Sequence, residues 1–201
     1  MNLYATKGAV NERLGPLVDR LAAAGVTPDQ VTLAAIPVAA LGGACLIASR
    51  EAPLLLLAVP LLAAVRIALN LIDGNLARRT GRIHARGELY NEVGDRLADV
   101  AFLAPAAFLP GAPSQMILLG VLGGVLASYV GITARAAGAE RIYRGVLSKP
   151  GRMALLSLCA VWAFSAGPGD GTPWAVFGPV LLLGTSLTLL ERIAVAVRRL
   201  E

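Results

Sequence analysis

Apolar residues along the chain fall into six long runs separated by shorter polar stretches. The runs occupy about residues 31–49, 53–72, 97–111, 115–134, 153–167 and 174–197. Each run is continuous and rich in Leu, Ala and Val, whereas a membrane β-barrel needs many segments of about ten residues with alternating polarity. A helical crossing takes about 20 mostly apolar residues. The pattern therefore predicts an all-α integral membrane protein, a single domain over residues 1–201 with six transmembrane helices between about residues 27 and 199.

The segment before the first run has an amphipathic pattern. Between about residues 3 and 24, with Arg13 and Arg20 interspersed, one side of a helix carries Leu14, Leu17, Val18 and Leu21. This spacing predicts an amphipathic helix that lies in the membrane interface, although a solvated amphipathic arm fits the same residues. The pair that follows at residues 27–28, Thr-Pro, is typical of a helix N-cap and first helical position, so the first span is expected to begin there.

The distribution of Lys and Arg predicts the orientation in the membrane. The chain is 56% hydrophobic and 15% charged, and its basic residues concentrate near both ends and in the connections between spans 2 and 3 and between spans 4 and 5. Cytoplasmic loops retain positive charge during insertion. Both termini are therefore predicted to be cytoplasmic, in the inner membrane of a bacterium. This topology and anionic lipid headgroups explain the net charge of +5, without a nucleic-acid partner.

Polar residues interrupt spans 2 and 3, and ionisable residues within a membrane indicate function. Span 2 carries Arg66, Asn70 and Asp73 at intervals of four and three, which places them on one helix face. A second stripe on span 3 consists of Glu88, Asn91, Glu92, Asp95 and Asp99. Because a short basic turn joins the two spans, the stripes are expected to face each other across a polar cleft that opens to the cytoplasm.

The residue types in this cleft predict phosphoryl transfer at a membrane surface. Asn and Asp oxygens without His or Cys nearby favour a hard cation, Mg2+ or Mn2+, and such ions commonly bind substrate phosphate. Gly74, Ala77 and Gly87 leave the backbone open to a bulky ligand. Arg78 is placed to bind an anion.

The spacing of these residues resembles the signature of the CDP-alcohol phosphotransferases, D-x2-D-G-x2-A-R-x8-G-x3-D-x3-D. Every interval is kept, and six of the eight fixed positions agree. The matching positions are Asn70, Asp73, Gly74, Ala77, Arg78, Gly87, Asn91 and Asp95. The six spans, the amphipathic N-terminal segment, the Thr-Pro start of span 1 and a basic Lys149-x2-Arg152 before span 5 extend the resemblance over essentially the whole chain.

The resemblance implies a reaction in which the hydroxyl of an acceptor alcohol attacks the lipid-side phosphorus of a CDP-alcohol, usually CDP-diacylglycerol, and CMP leaves. By position, it assigns metal binding to Asn70, Asp73, Asn91 and Asp95, with Asp95 as the general base. It assigns contacts with the CDP moiety to Asp73, Gly74, Ala77, Arg78 and Gly87. Lys149 and Arg152 are candidates for binding an acceptor or lipid phosphate, or for anchoring span 5 at the interface. A homodimer and membrane lipid partners are further expectations from the family.

The chain departs from the signature at the first and third aspartates, which are Asn70 and Asn91 here. An amide oxygen can coordinate Mg2+ but contributes no charge, so the four formal charges of the family site fall to two. The number of bound metal ions therefore stays open between one and two. Glu92, adjacent to Asn91, is a further candidate carboxylate. Two alternatives stay open: a catalytically silent CDP-lipid-binding protein of the same fold, and a small transporter.

Overall fold

The computed structural model describes residues 14–82, 84–167 and 169–201. All regular structure in these ranges is helical, without a strand, which confirms the all-α prediction. The α-helices are residues 14–23 (α1), Pro28–Ala48 (α2), Ala58–Thr80 (α3), Ala85–Leu103 (α4), Ser114–Ala136 (α5), Lys149–Ala166 (α6) and Thr172–Leu200 (α7). Short 3-10 helices, Pro53–Leu57 and Ala104–Phe108, precede α3 and follow α4.

The apolar runs of the sequence correspond to α2 through α7 with their 3-10 extensions. Four segments of the described chain are long and apolar enough to cross a membrane: Pro28–Ala48, Pro53–Thr80, Ser114–Ala136 and Thr172–Leu200. The charged residues of α4 and the basic first turn of α6 lower the apolarity of these two helices. α3 and α4 also extend beyond their apolar runs, to Thr80 and back to Ala85, so both halves of the polar cleft are helical.

The amphipathic N-terminal helix is helical over residues 14–23, and residues 3–13 of the predicted helix lie outside the described residues. Val18 is buried in a cluster with Val31 of α2 and with Ile72 and Leu76 of α3. The apolar side of α1 thus packs on α2 and α3. α2 begins at the predicted position, because the Thr27 side chain and Gln30 form a reciprocal capping box with Pro28 in the first turn.

Small residues allow the helices to approach closely. α2 packs against both α3 and α4, and α5 packs along α7. A Cβ atom added to Gly42 of α2 would lie 2.0 Å from the ring of Phe102 on α4, and one added to Gly123 of α5 would lie 2.9 Å from Thr185 Oγ1 on α7. α6 packs against α3 and α7 and places its first turn beside the polar cleft.

Candidate active site

A tight connection joins the two helices of the polar cleft. α3 ends at Gly81, whose φ of 65° is the left-handed conformation that glycine adopts readily. α4 begins after His84, whose Nδ1 accepts a hydrogen bond from the Gly87 amide at 2.8 Å and caps the helix. His84 Nε2 also lies 3.7 Å from Asp29 Oδ2. α3 and α4 both pack against α2, and polar side chains of the two helices meet each other.

One cluster of polar side chains, Asn70, Asp95 and Lys149, joins α3, α4 and α6; we refer to it as the Asp95 cluster. Asp95 Oδ1 accepts hydrogen bonds from Asn70 Nδ2 at 2.9 Å and from Lys149 Nζ at 2.5 Å. Asp95 Oδ2 lies 3.9 Å from Arg96 Nη1. Asn70 Oδ1 is buried and has no hydrogen-bond partner in the described part of the chain. The amide oxygen Asn70 Oδ1 is therefore available to coordinate a cation beside the Asp95 carboxylate.

A second cluster, Arg66, Asp99 and Arg152, lies one helical turn further along α4; we refer to it as the Asp99 cluster. Asp99 Oδ1 accepts from Arg66 Nη2 and Asp99 Oδ2 accepts from Arg152 Nη2, each at 2.5 Å. Arg66 is fully buried, and Arg152 is 4% exposed and also donates to the Leu147 carbonyl at 3.2 Å. Two buried guanidinium groups thus share one buried carboxylate, which ties α3, α4 and α6 together.

Asp73 lies on the other side of the cleft, against α2. Its Oδ2 accepts a hydrogen bond from Thr32 Oγ1 at 2.8 Å, and the residue is 7% exposed. Asp73 lines a cavity of about 560 Å3, which we call the α2–α4 cavity. The other predicted site residues that line it are Gly74, Ala77, Arg78, Gly87 and Asn91. All five residues assigned by position to the CDP moiety therefore meet in one cavity.

A neighbouring cavity of about 210 Å3, the Asp95 cavity, contains the remaining predicted residues: Asn70, Asp95, Lys149 and Arg152 all line it. Further cations in its lining are Arg96, Arg141 and Arg192, and its other carboxylate is Asp99. Arg141 lines both cavities. Cationic side chains outnumber carboxylates here, so the Asp95 cavity favours an anionic occupant.

The Glu92 side chain points away from the adjacent Asn91 and contacts basic residues. Its carboxylate pairs with Arg96 at 2.6 Å and with Arg141 of the α5–α6 connection. Consecutive residues of a helix differ by about 100° in direction. This rotation explains why Glu92 pairs with Arg141 while the adjacent Asn91 lines the α2–α4 cavity. Glu92 is thus used to hold Arg141 and does not restore a carboxylate to the Asp95 cluster.

The four predicted metal ligands supply two carboxylates and two amides, all of them hard oxygen donors. No group of three or more His, Cys, Asp or Glu side chains that could hold a metal ion occurs in the described residues. This follows from the replacement of two signature aspartates by Asn70 and Asn91. The free, buried Asn70 Oδ1 and the carboxylates of Asp73 and Asp95 nevertheless match the donor preferences of Mg2+ or Mn2+.

Comparisons with known proteins relate this site to known enzymes. No protein-family model matches the chain. It is 32% identical over 158 residues to the inner membrane protein YnbA of Escherichia coli, covering 79% of this chain and 78% of YnbA. It is 28% identical over 201 residues to the phosphatidylinositol phosphate synthase of Mycolicibacterium smegmatis, covering 96% of this chain and 87% of that enzyme. These likenesses run through the signature helices and most of the chain.

The fold also matches crystal structures of the phosphatidylinositol phosphate synthase PgsA1 of Mycobacterium tuberculosis. The structure with CDP-DAG bound gives a TM-score of 0.74 at 19% identity, covering 90% of this chain and 92% of PgsA1. The complex with manganese and citrate gives 0.76 at 20% identity, covering 90% and 88%. The chain is therefore similar, in sequence and in fold, to phosphatidylinositol phosphate synthases, which are members of the CDP-alcohol phosphotransferase family. The family signature thus lies on α3 and α4.

Several residues of the site could not be assigned from the family signature. Thr32 on α2 holds Asp73, Arg141 holds Glu92 and lines both cavities, and Arg66 and Asp99 form the buried part of the cleft. A sequence signal existed for Arg66 and Asp99, because charges within an apolar span need a partner. No such signal marked Thr32, since a threonine in an apolar helix is ordinary.

Proposed function

We propose that this chain is a metal-dependent transferase that moves the phosphatidyl group of a CDP-alcohol, CDP-diacylglycerol, to the hydroxyl of an acceptor alcohol and releases CMP. One observation carries the proposal. The signature residues, up to 25 positions apart, converge on two cavities that share Arg141. One cavity has the size and lining for a nucleotide diphosphate, and the other has a carboxylate and an excess of cations.

The α2–α4 cavity is the proposed site of the donor. Gly74, Ala77 and Gly87 present little side chain there, and a Cβ atom added to Gly74 would meet nothing closer than the Arg78 guanidinium at 3.7 Å. The space beside Gly74 is therefore available to a ligand. Arg78 provides a guanidinium group for a phosphate, and Asp73 completes the set that is assigned to CDP.

Asn70, Asp73, Asn91 and Asp95 are the proposed ligands of Mg2+ or Mn2+, which, when bound, would neutralise charge on the donor diphosphate. Thr32 orients the Asp73 carboxylate through its hydrogen bond of 2.8 Å. Asn70 is oriented by its bond to Asp95, which leaves the amide oxygen free to coordinate. Such partners of a ligand fix its direction before the ion arrives.

Asp95 is the proposed general base. The acceptor hydroxyl oxygen forms a bond to the phosphorus of the phosphatidyl group, the bond from that phosphorus to the CMP oxygen breaks, and the hydroxyl proton passes to Asp95. Asp95 Oδ1 is occupied by Asn70 and Lys149, so Oδ2 is the oxygen that we assign to the proton. Lys149 holds the carboxylate in place at 2.5 Å during this transfer.

An acceptor that carries its own phosphate fits the Asp95 cavity. Five cationic side chains line this cavity: Arg96, Arg141, Lys149, Arg152 and Arg192. The carboxylates of Asp95 and Asp99 line it as well, and Glu92 pairs with Arg96 and Arg141, which leaves an excess of two positive charges. Lys149 and Arg152 are the proposed phosphate contacts, with Arg152 kept in place by Asp99. A phosphorylated alcohol would use the positive charge that a neutral alcohol would leave unbalanced.

The test is incubation of the purified protein with CDP-diacylglycerol, Mn2+ or Mg2+, and a panel of alcohols, each offered with and without a phosphate group. Mass spectrometry of the lipid product and an assay for CMP give two readouts. We expect CMP release together with a new phosphodiester lipid, and a preference for a phosphorylated acceptor. Absence of CMP release with every acceptor would contradict the proposed transfer.

A catalytically silent CDP-lipid-binding protein is the second candidate, and the amides at Asn70 and Asn91 favour it. With half the usual negative charge, the site can retain nucleotide binding and lack turnover. Binding of CDP by isothermal titration without CMP release would support this candidate. Any acceptor-dependent release of CMP would exclude it.

For the membrane arrangement, we propose one domain with six spans, α2 through α7, an interfacial α1, and both termini in the cytoplasm of a bacterial inner membrane. The proposed assembly is a homodimer, as the family resemblance implies. A reporter fused after Glu201 should be cytoplasmic, and one inserted near Ala112 should be external, because the basic residues flank the opposite ends of the spans. The reverse result would place the cleft on the wrong side of the membrane for a CDP-linked donor.

A further inference from the structure

The Asp95 cluster contains a fixed positive charge, because the Lys149 ammonium group contacts Asp95 Oδ1. Lys149 Nζ and Asn70 Nδ2 both contact Asp95 Oδ1, at 2.5 Å and 2.9 Å. Lys149 is the first residue of α6 and is followed by Pro150 in the first helical turn. The Lys149 side chain is 22% exposed. The ammonium group is thus anchored beside Asp95 by a helix start and is partly shielded from water.

Asn70 removes the electrostatic need for an ion between positions 70 and 95. Two carboxylates at hydrogen-bond distance repel each other unless a cation or a shared proton lies between them. An amide donates a hydrogen to the carboxylate instead, as Asn70 does to Asp95. The contact is therefore satisfied without a bridging ion.

Lys149 also opposes a second ion directly. A Mg2+ ion binds a carboxylate oxygen at about 2.0–2.1 Å, and the Lys149 ammonium already lies 2.5 Å from Asp95 Oδ1. The two carboxylates Asp73 and Asp95 together with Lys149 carry a formal charge of −1. One divalent ion would bring this set to +1 and a second would bring it to +3, in a partly buried site.

We propose that, of the four candidate ligands, only Asp73 and Asn91 hold a divalent cation, so that the site binds a single ion, and that Lys149 supplies at Asp95 the positive charge that a second ion would otherwise bring. Asp73 and Asn91 line the same α2–α4 cavity, whereas Asp95 and Lys149 line the Asp95 cavity. Lys149 acts through Asp95 and is in this respect a positioning residue. This inference rests on the proposed function, which assigns a divalent-cation site to these residues.

The experiment counts bound ions, independently of turnover. Mn2+ is titrated into detergent-purified protein, and the free ion is measured by its electron paramagnetic resonance signal. Three proteins are compared: the wild type, the double variant Asn70→Asp plus Asn91→Asp, and the triple variant that adds Lys149→Met. A triple variant with Arg199→Met in place of Lys149→Met is the matched control, because Arg199 is an exposed cation that lines neither cavity.

We expect one Mn2+ in the wild type and one in the double variant, bound at least about tenfold more tightly because two anions are added. We expect two in the triple variant with Lys149→Met, and one in the Arg199→Met control. Two ions or none in the wild type would overturn the inference. So would two ions in the double variant, since Lys149 would then not exclude the second, or one ion in the triple variant.

Size-exclusion chromatography and circular dichroism establish that each variant is folded, and Lys149→Gln provides a second triple variant if Lys149→Met is unstable. CMP release by the wild type is measured in parallel. One bound ion without CMP release would overturn the proposed transfer and leave the inference standing. CMP release with two bound ions would support the proposed transfer and overturn the inference.

Discussion

Asp95 and Asp99 lie one turn apart on α4, but the hydrogen-bond partners of their carboxylates differ. Asp99 is buried, and each of its oxygens accepts from a buried guanidinium group at 2.5 Å. In the Asp95 cluster, one oxygen of Asp95 takes both hydrogen bonds, from an amide and an ammonium, and the nearest Arg96 nitrogen is 3.9 Å from the other. One carboxylate is saturated by its partners, while the other retains capacity for a proton or a ligand.

This difference indicates that the two aspartates have different roles, one in stability and one in turnover. A carboxylate held from both sides by buried cations stabilises helix packing, because removing it leaves those charges unpaired. A carboxylate with one free oxygen beside a cavity can exchange a proton with a bound molecule. We therefore expect substitution of Asp95 to affect turnover and substitution of Asp99 to affect stability.

The largest effect is expected from Asp95→Asn, which should lower the rate of CMP release by about 10²- to 10⁴-fold because the proton acceptor is lost. The melting temperature should fall less than in Asp99→Asn, because Asp95 pairs with one ammonium group whereas Asp99 is shared by two buried guanidinium groups. Glu140→Gln, at an exposed carboxylate, is the control. Activity above about a tenth of wild type would rule out Asp95 as the base.

Next in size is the effect of Asp99→Asn on stability. Arg66 and Arg152 would lose their shared carboxylate within the protein interior, at a cost of about 3–5 kcal/mol. Thermal unfolding followed by the fluorescence of Trp162 and Trp174 measures the loss. The matched control is Asp19→Asn, which breaks the exposed pair with Arg79 and should cost less than about 1 kcal/mol. Equal losses in the two variants would refute the structural role of the Asp99 cluster.

A smaller effect is expected from Thr32→Val, which removes the hydrogen bond to Asp73 while keeping the side-chain volume. Partners that orient a metal ligand contribute about tenfold or more to affinity, so Mn2+ should bind about tenfold more weakly. Thr32→Ser keeps the hydroxyl and should restore most of the affinity. Unchanged Mn2+ binding in Thr32→Val would show that Asp73 needs no orientation from α2, or that it is not a ligand.

The smallest effects are expected from adding a methyl group to a glycine in each region. Gly74 faces open space in the α2–α4 cavity, and Gly124 packs against Arg152 of the Asp99 cluster. In Gly74→Ala, the added Cβ atom lies 3.7 Å from Arg78, so the melting temperature should be unchanged or higher, while CDP should bind several-fold more weakly. In Gly124→Ala, the Cβ atom lies 3.3 Å from Arg152 Cζ, whose guanidinium is held by Asp99, so the melting temperature should fall. Equal CDP affinity of Gly74→Ala and wild type would place the nucleotide elsewhere.

Spacing alone predicted which residues would be neighbours in space within the helical pair. Intervals of three and four put Asn70 and Asp73 on one face of α3, and Asn91, Asp95 and Asp99 on one face of α4, and the hydrogen bond from Asn70 to Asp95 joins these faces. The α-helical fold and the start of α2 at Thr27 followed from local signals as well. The catalytic and binding roles of these residues stay predictions.

Contacts between distant segments could not be predicted in the same way. The partner of a charged side chain depends on the rotation of each helix, and Glu92 differs from Asn91 by about 100° around α4. Glu92 therefore pairs with Arg141, which lies 49 positions away in an irregular connection. Arg152 likewise turns inward to Asp99, although its position before an apolar run is equally typical of an interfacial anchor.

The short turn between α3 and α4 limits how this protein can change in evolution. Only positions 81–84 separate the two helices, and Gly81 and His84 hold their ends. A single inserted residue within either helix would rotate everything beyond it by about 100° and shift it by about 1.5 Å, which would separate Asn70 from Asp95. A lineage that keeps the site must therefore keep the number of residues between Asn70 and Asp95. Constant length of this segment is a trait by which distant descendants can be recognised, in addition to the residues of the site.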